Sequence, residues 1–153
     1  MHHRESNLQQ ACVRWFDYQH PECSIMVEGV KYKNKRKIKV LRRVSILFSI
    51  PNEGESSEIL GSIMNQMGRR AGVADTLLAK GRIRNFKDLP VFNFLSESLP
   101  KFMYLGCFFE FKSLTGKQTN EQAAFQKLVE AQGYEYVIIK DIESFISKVK
   151  EYM

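Results

Sequence analysis

The chain alternates between segments with apolar residues at helical spacing and short segments that are apolar throughout. Apolar residues three and four apart indicate a helix, whereas short apolar runs between turn residues are typical of buried strands. Together they predict one α/β (α+β) domain of 153 residues, with a central mixed sheet flanked by helices. In chain order, the predicted elements are a helix at 5–19, strands at 25–27 and 44–50, a turn at 51–54, a helix at 56–69, strands at 75–80 and 102–113, a helix at 120–132, a strand at 134–140 and a final helix after Asp141.

One stretch, at about 81–100, interrupts this order. Pro90 and Pro100 bracket an apolar segment there, and it fits neither a helix nor a strand pattern clearly. We therefore interpret 81–100 as an insertion in the domain.

Composition narrows the protein class. No apolar run approaches the roughly 18 residues that a membrane span needs, and the first residues lack a signal-peptide core. The three cysteines (Cys12, Cys23 and Cys107) show no metal-ligand spacing, which favours reduced thiols. We expect a cytoplasmic protein without a membrane partner, either nucleoid-associated or phage-encoded and acting in the host cytoplasm.

Positive charge is concentrated in one segment. The net charge is +6, and eight of the 23 basic residues lie between positions 31 and 43 with no acidic residue among them. Such a segment suits a polyanion, because Lys and Arg replace the counterions condensed on phosphates. The alternative is a solvated hairpin whose charges only discourage edge pairing. The sequence thus predicts a basic arm at about 30–43, with these candidate DNA-binding residues: Lys31, Lys33, Lys35, Arg36, Lys37, Lys39, Arg42 and Arg43.

Glu110 and Lys112 stand two residues apart at the end of a strongly apolar run, 104–111. Side chains two apart on a strand share one face at a spacing of about 6.6 Å. A carboxylate and an ammonium group therefore emerge together where packing alone would place neither. Asp75, soon after Gly72, supplies a second carboxylate. Two carboxylates and a lysine at a sheet edge can hold Mg²⁺ or Mn²⁺ and stabilise an attacked phosphate, so the pattern predicts a metal-dependent nuclease.

Each candidate residue also has a structural role open to it. Thr119 and Gln122 have the spacing of a capping box, in which the glutamine serves only the helix. The structural alternatives are a helix cap for Gln122, a turn cap for Asp75, a first-turn acid for Glu5 and a surface ion pair for Glu110 with Lys112.

Taken in order, these elements resemble the virus-type replication-repair nuclease (VRR-NUC) family of the PD-(D/E)xK superfamily. The resemblance spans nearly the whole domain. It rests on an early Glu5 in the first helix, the turn Pro51-Asn52-Glu53-Gly54, Gly72-Val73-Ala74-Asp75, Glu110-Phe111-Lys112, the loop and helix start from Gly116 to Gln122, and a closing strand at Gly133-Tyr134.

The resemblance implies a restriction-endonuclease-like core that binds Mg²⁺ or Mn²⁺ and hydrolyses DNA phosphodiesters. Stand-alone members of this size, often phage-borne, are similar to Holliday-junction resolvases and act as homodimers. It also implies the following site residues: Asp75, Glu110, Lys112 and Gln122 as catalytic residues, and Asp75, Glu110, the backbone carbonyl of Phe111 and, as a further candidate, Glu5 as metal ligands.

The expected function is therefore a divalent-metal-dependent endodeoxyribonuclease that cuts branched or junction DNA as a homodimer, with Lys117 added to the DNA-binding residues. Three alternatives stay open: a flap- or repair-processing nuclease, a catalytically inert nucleic-acid-binding module, and a structural or interaction protein in which the Glu-x-Lys sequence has no chemical role.

Overall fold

The structure is a computed structural model, and it describes residues 2–33, 35–50, 70, 72–83 and 103–153. The turn predicted at 51–54, the helix predicted at 56–69 and most of the 81–100 segment lie outside these residues. Among the described residues, no helix combines the length and the apolar character needed to cross a membrane.

The described elements follow the predicted mixed order of helices and strands. A single 3₁₀ turn, Pro21–Cys23, follows the first helix. The elements are α1 (His2–Gln19), β1 (Ser24–Lys33), β2 (Arg36–Ser45), β3 (Leu47–Ser49), β4 (Thr76–Leu78), β5 (Arg82–Ile83), β6 (Met103–Tyr104), β7 (Cys107–Phe111), α2 (Asn120–Ala131), β8 (Glu135–Ile139) and α3 (Ile142–Lys150).

Four strands form the central sheet in the order β3-β4-β7-β8. β3, β4 and β7 are antiparallel neighbours, and β7 runs parallel to β8. The predicted mixed sheet is therefore confirmed. All five residues of β7 are buried, as expected for an internal strand covered on both faces.

Helices cover both faces of this sheet. On one face Phe109 and Phe111 of β7 pack with Phe16 of α1 and Phe145 of α3, and the rings of Phe109 and Phe145 lie 5.0 Å apart. On the other face Phe108 packs against Phe125 of α2, with ring centroids 5.3 Å apart. Because side chains alternate along a strand, Glu110 and Lys112 share the α2 face with Phe108.

Two of the predicted strands are each divided in the structure. The strand predicted at 44–50 is two strands, because β2 ends at Ser45 and β3 joins the central sheet separately. The strand predicted at 102–113 is also divided, because β6 pairs with β5 whereas β7 pairs with β4 and β8, and Leu105 and Gly106 lie between the two. The Leu105 amide donates to the Gly133 carbonyl at 2.9 Å, and the Glu135 amide donates to the Gly106 carbonyl at the same distance.

β1 and β2 form a two-stranded sheet of their own. They pair antiparallel over ten residues each, from Ser24 opposite Ser45 to Lys33 opposite Arg36. The strand predicted at 25–27 is thus much longer than its apolar core, and the basic segment, 31–43, forms the end of β1, the turn and most of β2.

The 81–100 segment leaves and re-enters the described part of the chain through β5 and β6, which pair with each other. Arg82 of β5 forms ion pairs with Glu135 and Glu151, each at 3.0 Å. Its guanidinium also lies 4.7 Å from the ring centre of Tyr104. Both ends of the segment therefore lie near the start of β7 and β8, at the opposite end of β7 from Glu110.

Candidate active site

Glu110 is the chemically unusual residue of the central strand. Its side chain is 1% exposed, although a buried carboxylate is costly unless it is hydrogen-bonded or paired. The Lys112 ammonium lies 2.8 Å from Glu110 Oε1, and the Gln122 amide donates to the same oxygen. The Tyr136 hydroxyl donates to Oε2 at 3.3 Å. These three donors partner the buried carboxylate.

The titration of this pair follows from its burial. Burial raises the pKa of Glu110 to about 7, and the nearby negative charge of Asp75 adds to that rise, while the hydrogen bond from Lys112 opposes it. For Lys112, burial by itself lowers the pKa, but the hydrogen bond and the charge of Glu110 outweigh it. The net pKa of Lys112 is therefore raised, and the lysine is held as an ammonium.

Gln122 serves the helix and the site at the same time. It is the third residue of α2, where the capping box forms: the Gln122 amide nitrogen of the backbone donates to Thr119 Oγ1 at 3.3 Å, and the Gln122 side-chain oxygen accepts from the Thr119 amide at 2.9 Å. The side-chain nitrogen then remains to contact Glu110. The two alternatives considered for Gln122 are therefore compatible, because one amide group fulfils both.

Asp75 immediately precedes β4 and lies beside the end of β7. Its Oδ2 accepts a hydrogen bond from the Phe111 amide at 2.7 Å. On the other edge of the strand, the Lys112 amide donates to the Ile139 carbonyl at 2.9 Å. Because the amide and carbonyl of one strand residue point to the same side, the Phe111 carbonyl faces the Asp75 side. Asp75 and the Phe111 carbonyl, two of the predicted ligands, thus lie together at the edge of the sheet where β7 ends.

Glu5 reaches this edge from the first turn of α1, 105 positions before Glu110 in the sequence. Its Oε1 accepts from the Ser113 amide at 2.8 Å, so the carboxylate holds the loop that directly follows Lys112. A side chain at Gly116 would crowd the same oxygen, with a Cβ only 3.2 Å from it. The structure therefore gives Glu5 a contact that positions the loop after the Glu-x-Lys sequence.

A cavity of about 90 Å³ brings the predicted residues together. Its walls are polar, and every residue predicted for catalysis or metal binding lines it. Two further side chains of α1, besides Glu5, complete the lining. The lining residues are Glu5, Ser6, Gln9, Asp75, Glu110, Phe111, Lys112 and Gln122.

These residues fit a hard divalent cation by their chemistry. Asp75 and Glu110 offer carboxylate oxygens to one cavity, and the charge of Asp75 adds to the rise that burial causes in the pKa of Glu110. Oxygen ligands are those that Mg²⁺ and Mn²⁺ prefer. In the described part of the chain, no three His, Cys, Asp or Glu side chains already form a closed set of ligands. The candidate site thus consists of two carboxylates beside a lysine, and the Glu5 carboxylate accepts a hydrogen bond from the Ser113 backbone amide.

The predicted DNA-binding residues lie elsewhere. Lys117 is exposed in the loop before α2, and the eight basic residues between 31 and 43 belong to β1, β2 and the turn between them. None of them lines the cavity.

Tyr136 is the site residue that sequence reasoning missed. It lies on β8 opposite Phe108, two positions along the ladder from Glu110, which pairs with Ile138. Glu110 and Tyr136 therefore share one face of adjacent strands. Alternation along each strand indicated the faces, but the pairing of β7 with β8 was needed to bring the two side chains together.

The fold belongs to the mixed α+β class, with a sheet covered by helices on both faces. It is similar to the solved structure of a protein named "VRR_NUC domain protein", with a TM-score of 0.57 over 97% of this chain and 87% of that chain. The two sequences are 18% identical, so the likeness concerns the fold. No protein-family model matches the sequence, and no curated protein matches it.

Proposed function

We propose that the protein is a divalent-metal-dependent endonuclease that hydrolyses phosphodiester bonds in DNA. The observation that carries this proposal is the convergence of Asp75, Glu110 and Lys112 on one polar cavity, although 35 positions separate Asp75 from Glu110. The similarity in fold to a VRR_NUC domain protein supports the same class of activity.

The chain itself would contribute both charge and orientation. Lys112 lines the same cavity as the two carboxylates, with its ammonium next to Glu110. There it can orient an attacking water and offset charge that accumulates on the phosphate. Gln122 and Tyr136 fix the two oxygens of Glu110 from different sides. The first turn of α2 contributes Gln122 to the cavity, and a helix N-terminus favours a nearby phosphate oxygen.

Asp75 and Glu110, with the carbonyl of Phe111, are the residues that would hold Mg²⁺ or Mn²⁺, and Glu5 is close enough to the same cavity to contribute. When bound, such an ion polarises the phosphate and lowers the pKa of a coordinated water. The two carboxylates would hold such an ion, and Lys112 lies beside Glu110, where it could contact the phosphate.

One assay tests the proposal directly. Purified protein is incubated with four-way junction, flap, duplex and single-stranded DNA, each with Mg²⁺, with Mn²⁺ or with a chelator. We expect cleavage of at least one substrate with either metal and none with the chelator. Binding without cleavage of any substrate would contradict a nuclease and indicate an inert nucleic-acid-binding module.

Branched DNA is the proposed substrate class within that activity, and a homodimer is the proposed assembly. Cutting a four-way junction needs two sites that face opposite strands, which a twofold dimer supplies. The same proposal places the protein in the cytoplasm, at the nucleoid or at phage DNA. A monomer in sedimentation that cuts flaps or single strands would instead indicate a repair-processing nuclease.

Replacing Tyr136 by Phe tests how far Glu110 depends on its hydroxyl donor. We expect the cleavage rate to fall at least about tenfold, because a hydrogen bond to a charged group contributes about 1.5–3 kcal/mol. The metal concentration for half-maximal rate should rise, whereas DNA affinity in chelator should not change. Metal titrations of single-turnover rates measure both quantities.

Tyr134→Phe is the matched control, since Tyr134 directly precedes β8 and packs against Phe108 with ring centroids 5.3 Å apart. An equal loss of rate in both variants would show that the effect is one of general packing.

A further inference from the structure

The β1–β2 hairpin, residues 24–45, is a ribbon that we call the arm. Most of its side chains are exposed on both faces, including Tyr32 at 71% and Leu41 at 70%. An isolated two-stranded hairpin is at best marginally stable in water. The arm extends over ten residue pairs, and its exposed side chains are available to a binding partner.

The base of the arm is fixed to α1 by Arg43. Its guanidinium lies 3.6 Å from a carboxylate oxygen of Asp17, and it donates to the Asp17 carbonyl at 3.3 Å and to Ser24 Oγ at 3.1 Å. Two further cations are engaged within the arm. Arg42 donates to the Val30 carbonyl at 3.0 Å, and Lys39 lies 2.7 Å from Glu28. The eight predicted DNA-binding residues therefore do not form one uniform set.

The other five cations form a tip at the far end of the arm. Lys33 lies directly opposite Arg36 in the ladder, although like charges in that position repel. The turn between them places Lys35 at a φ of 63°, in a region that favours glycine or asparagine. All five tip residues are exposed: Lys31, Lys33, Lys35, Arg36 and Lys37. Positive charge is thus kept at the tip despite an electrostatic and a conformational cost.

This charge selects the class of partner. A second copy of the arm would bring five cations against five, so the two tips would repel each other. A polyanion fits, because phosphates replace the repulsion within the tip by attraction. Lys31, Lys33 and Arg36 project from one face of the ribbon, and Lys37 projects from the other beside Tyr32. A ribbon lying on one row of phosphates would use one face, whereas a ribbon between two backbones uses both.

We propose that the arm binds in the major groove of duplex DNA, with its tip against the phosphates on both sides. The groove of B-form DNA is about 12 Å wide and admits a two-stranded ribbon. The major groove of an RNA duplex is too narrow and deep for side chains to read. The choice of DNA rests on the proposed function, whereas the position of the cations does not.

The connection to α1 relates the arm to the cavity. Glu5, which lines the cavity, and Asp17, which holds the arm, are twelve residues apart on one helix and therefore about 18 Å apart along its axis. This distance corresponds to about five base pairs. The arm then contacts duplex DNA that flanks the bond to be cut.

The test compares two double variants of the full chain by fluorescence anisotropy in chelator, so that no DNA is cut. The tip variant is Lys33→Gln with Lys37→Gln. The control variant is Lys127→Gln with Lys150→Gln, which removes the same charge from exposed positions on α2 and α3. The probes are a 20-base-pair DNA duplex, its single strand and an RNA duplex of the same sequence, each titrated over a range of salt concentrations.

Affinity falls as salt rises, so the slope of log affinity against log salt is negative. On duplex DNA we expect the tip variant to make this slope shallower by about two, and the control variant to leave it unchanged. The native protein should bind the DNA duplex at least about tenfold more tightly than the other two probes. Equal slopes for the two variants would overturn the role of the tip, and equal affinity for either other probe would overturn the groove.

Cleavage assays separate this inference from the proposed function. If the salt slope depends on the tip but no DNA is ever cut with Mg²⁺ or Mn²⁺, the arm binds DNA and the nuclease proposal fails. If the native protein cuts DNA and the tip variant keeps both the native slope and the native rate, the inference about the arm fails and the nuclease proposal stands.

Discussion

Replacing Lys112 by Met or Asp75 by Asn is expected to lower metal-dependent DNA cleavage by about 10²–10⁴-fold, the usual loss when a charge-stabilising or proton-transferring group is removed. Lys112→Met keeps the length of the side chain but removes the ammonium that contacts Glu110 at 2.8 Å. Asp75→Asn keeps an oxygen for the Phe111 amide but removes the negative charge. Single-turnover rates at saturating DNA measure the loss.

Both variants should fold, because the remaining contacts of the site are retained. In Lys112→Met, Gln122 and Tyr136 still donate to Glu110. Circular dichroism and thermal melting check this point, and DNA affinity in chelator should stay within about threefold of the native value, since one contact is changed. Lys127→Met on the exposed side of α2 is the control. Cleavage by either site variant at the native rate would show that the predicted roles are wrong.

Sequence patterns predicted the elements around the central sheet because each of them is locally consistent. The apolar run up to Phe111, the capping box at Thr119 and the Asp141 cap all appear where they were expected, and Gly133 ends α2 with a φ of 88°. The strand order β3-β4-β7-β8 could not be read from the sequence, because it depends on which apolar faces meet in three dimensions.

The arm shows why local patterns can fail. Strands usually reveal themselves by apolar residues at alternate positions, but the arm carries cations on both faces. Its turn also lacks the Asn-Gly or Asp-Gly signal of a two-residue hairpin, since Lys35 takes the position with positive φ. The sequence therefore predicted a short strand at 25–27 and a basic arm at about 30–43 without strand limits, where the structure has a strand over Ser24–Lys33.

The site was more predictable than its surroundings. Asp75, Glu110, Lys112 and Gln122 were identified by type and spacing, and all four line one cavity. The contact of Glu5 with the Ser113 amide and the contact of Tyr136 with Glu110 were not predicted, because both cross between elements whose packing is invisible in the sequence. The partners of a candidate site residue are thus harder to predict than the residue itself.

The largest expected effect on stability comes from Gly72, which precedes Asp75 and contacts the first turn of α2. Its φ is +79°, a conformation that costs other residues about 1–2 kcal/mol. A Cβ at this position would also overlap the backbone of Glu121 and lie 2.8 Å from the amide nitrogen of Gln122. Backbone shifts that relieve such overlap cost about 1–3 kcal/mol more.

We therefore expect Gly72→Ala to lower the free energy of unfolding by about 2–5 kcal/mol, and the melting temperature by about 10 °C. Relief of the overlap moves α2 away from β4 and draws Gln122 from Glu110, so the cleavage rate should fall as well. Denaturant unfolding and thermal melting measure the first effect, and single-turnover cleavage measures the second.

Gly133→Ala separates strain from overlap. Its φ of +88° carries a similar conformational cost, but the nearest atoms to a Cβ there belong to Leu105 at 3.8 Å, an ordinary contact. This control should lose only about 1 kcal/mol and keep its cleavage rate, because nothing in the cavity moves. Equal losses of stability in the two glycine variants would contradict this prediction. They would show that the close approach of Gly72 to α2 does not hold the Asp75 loop against that helix.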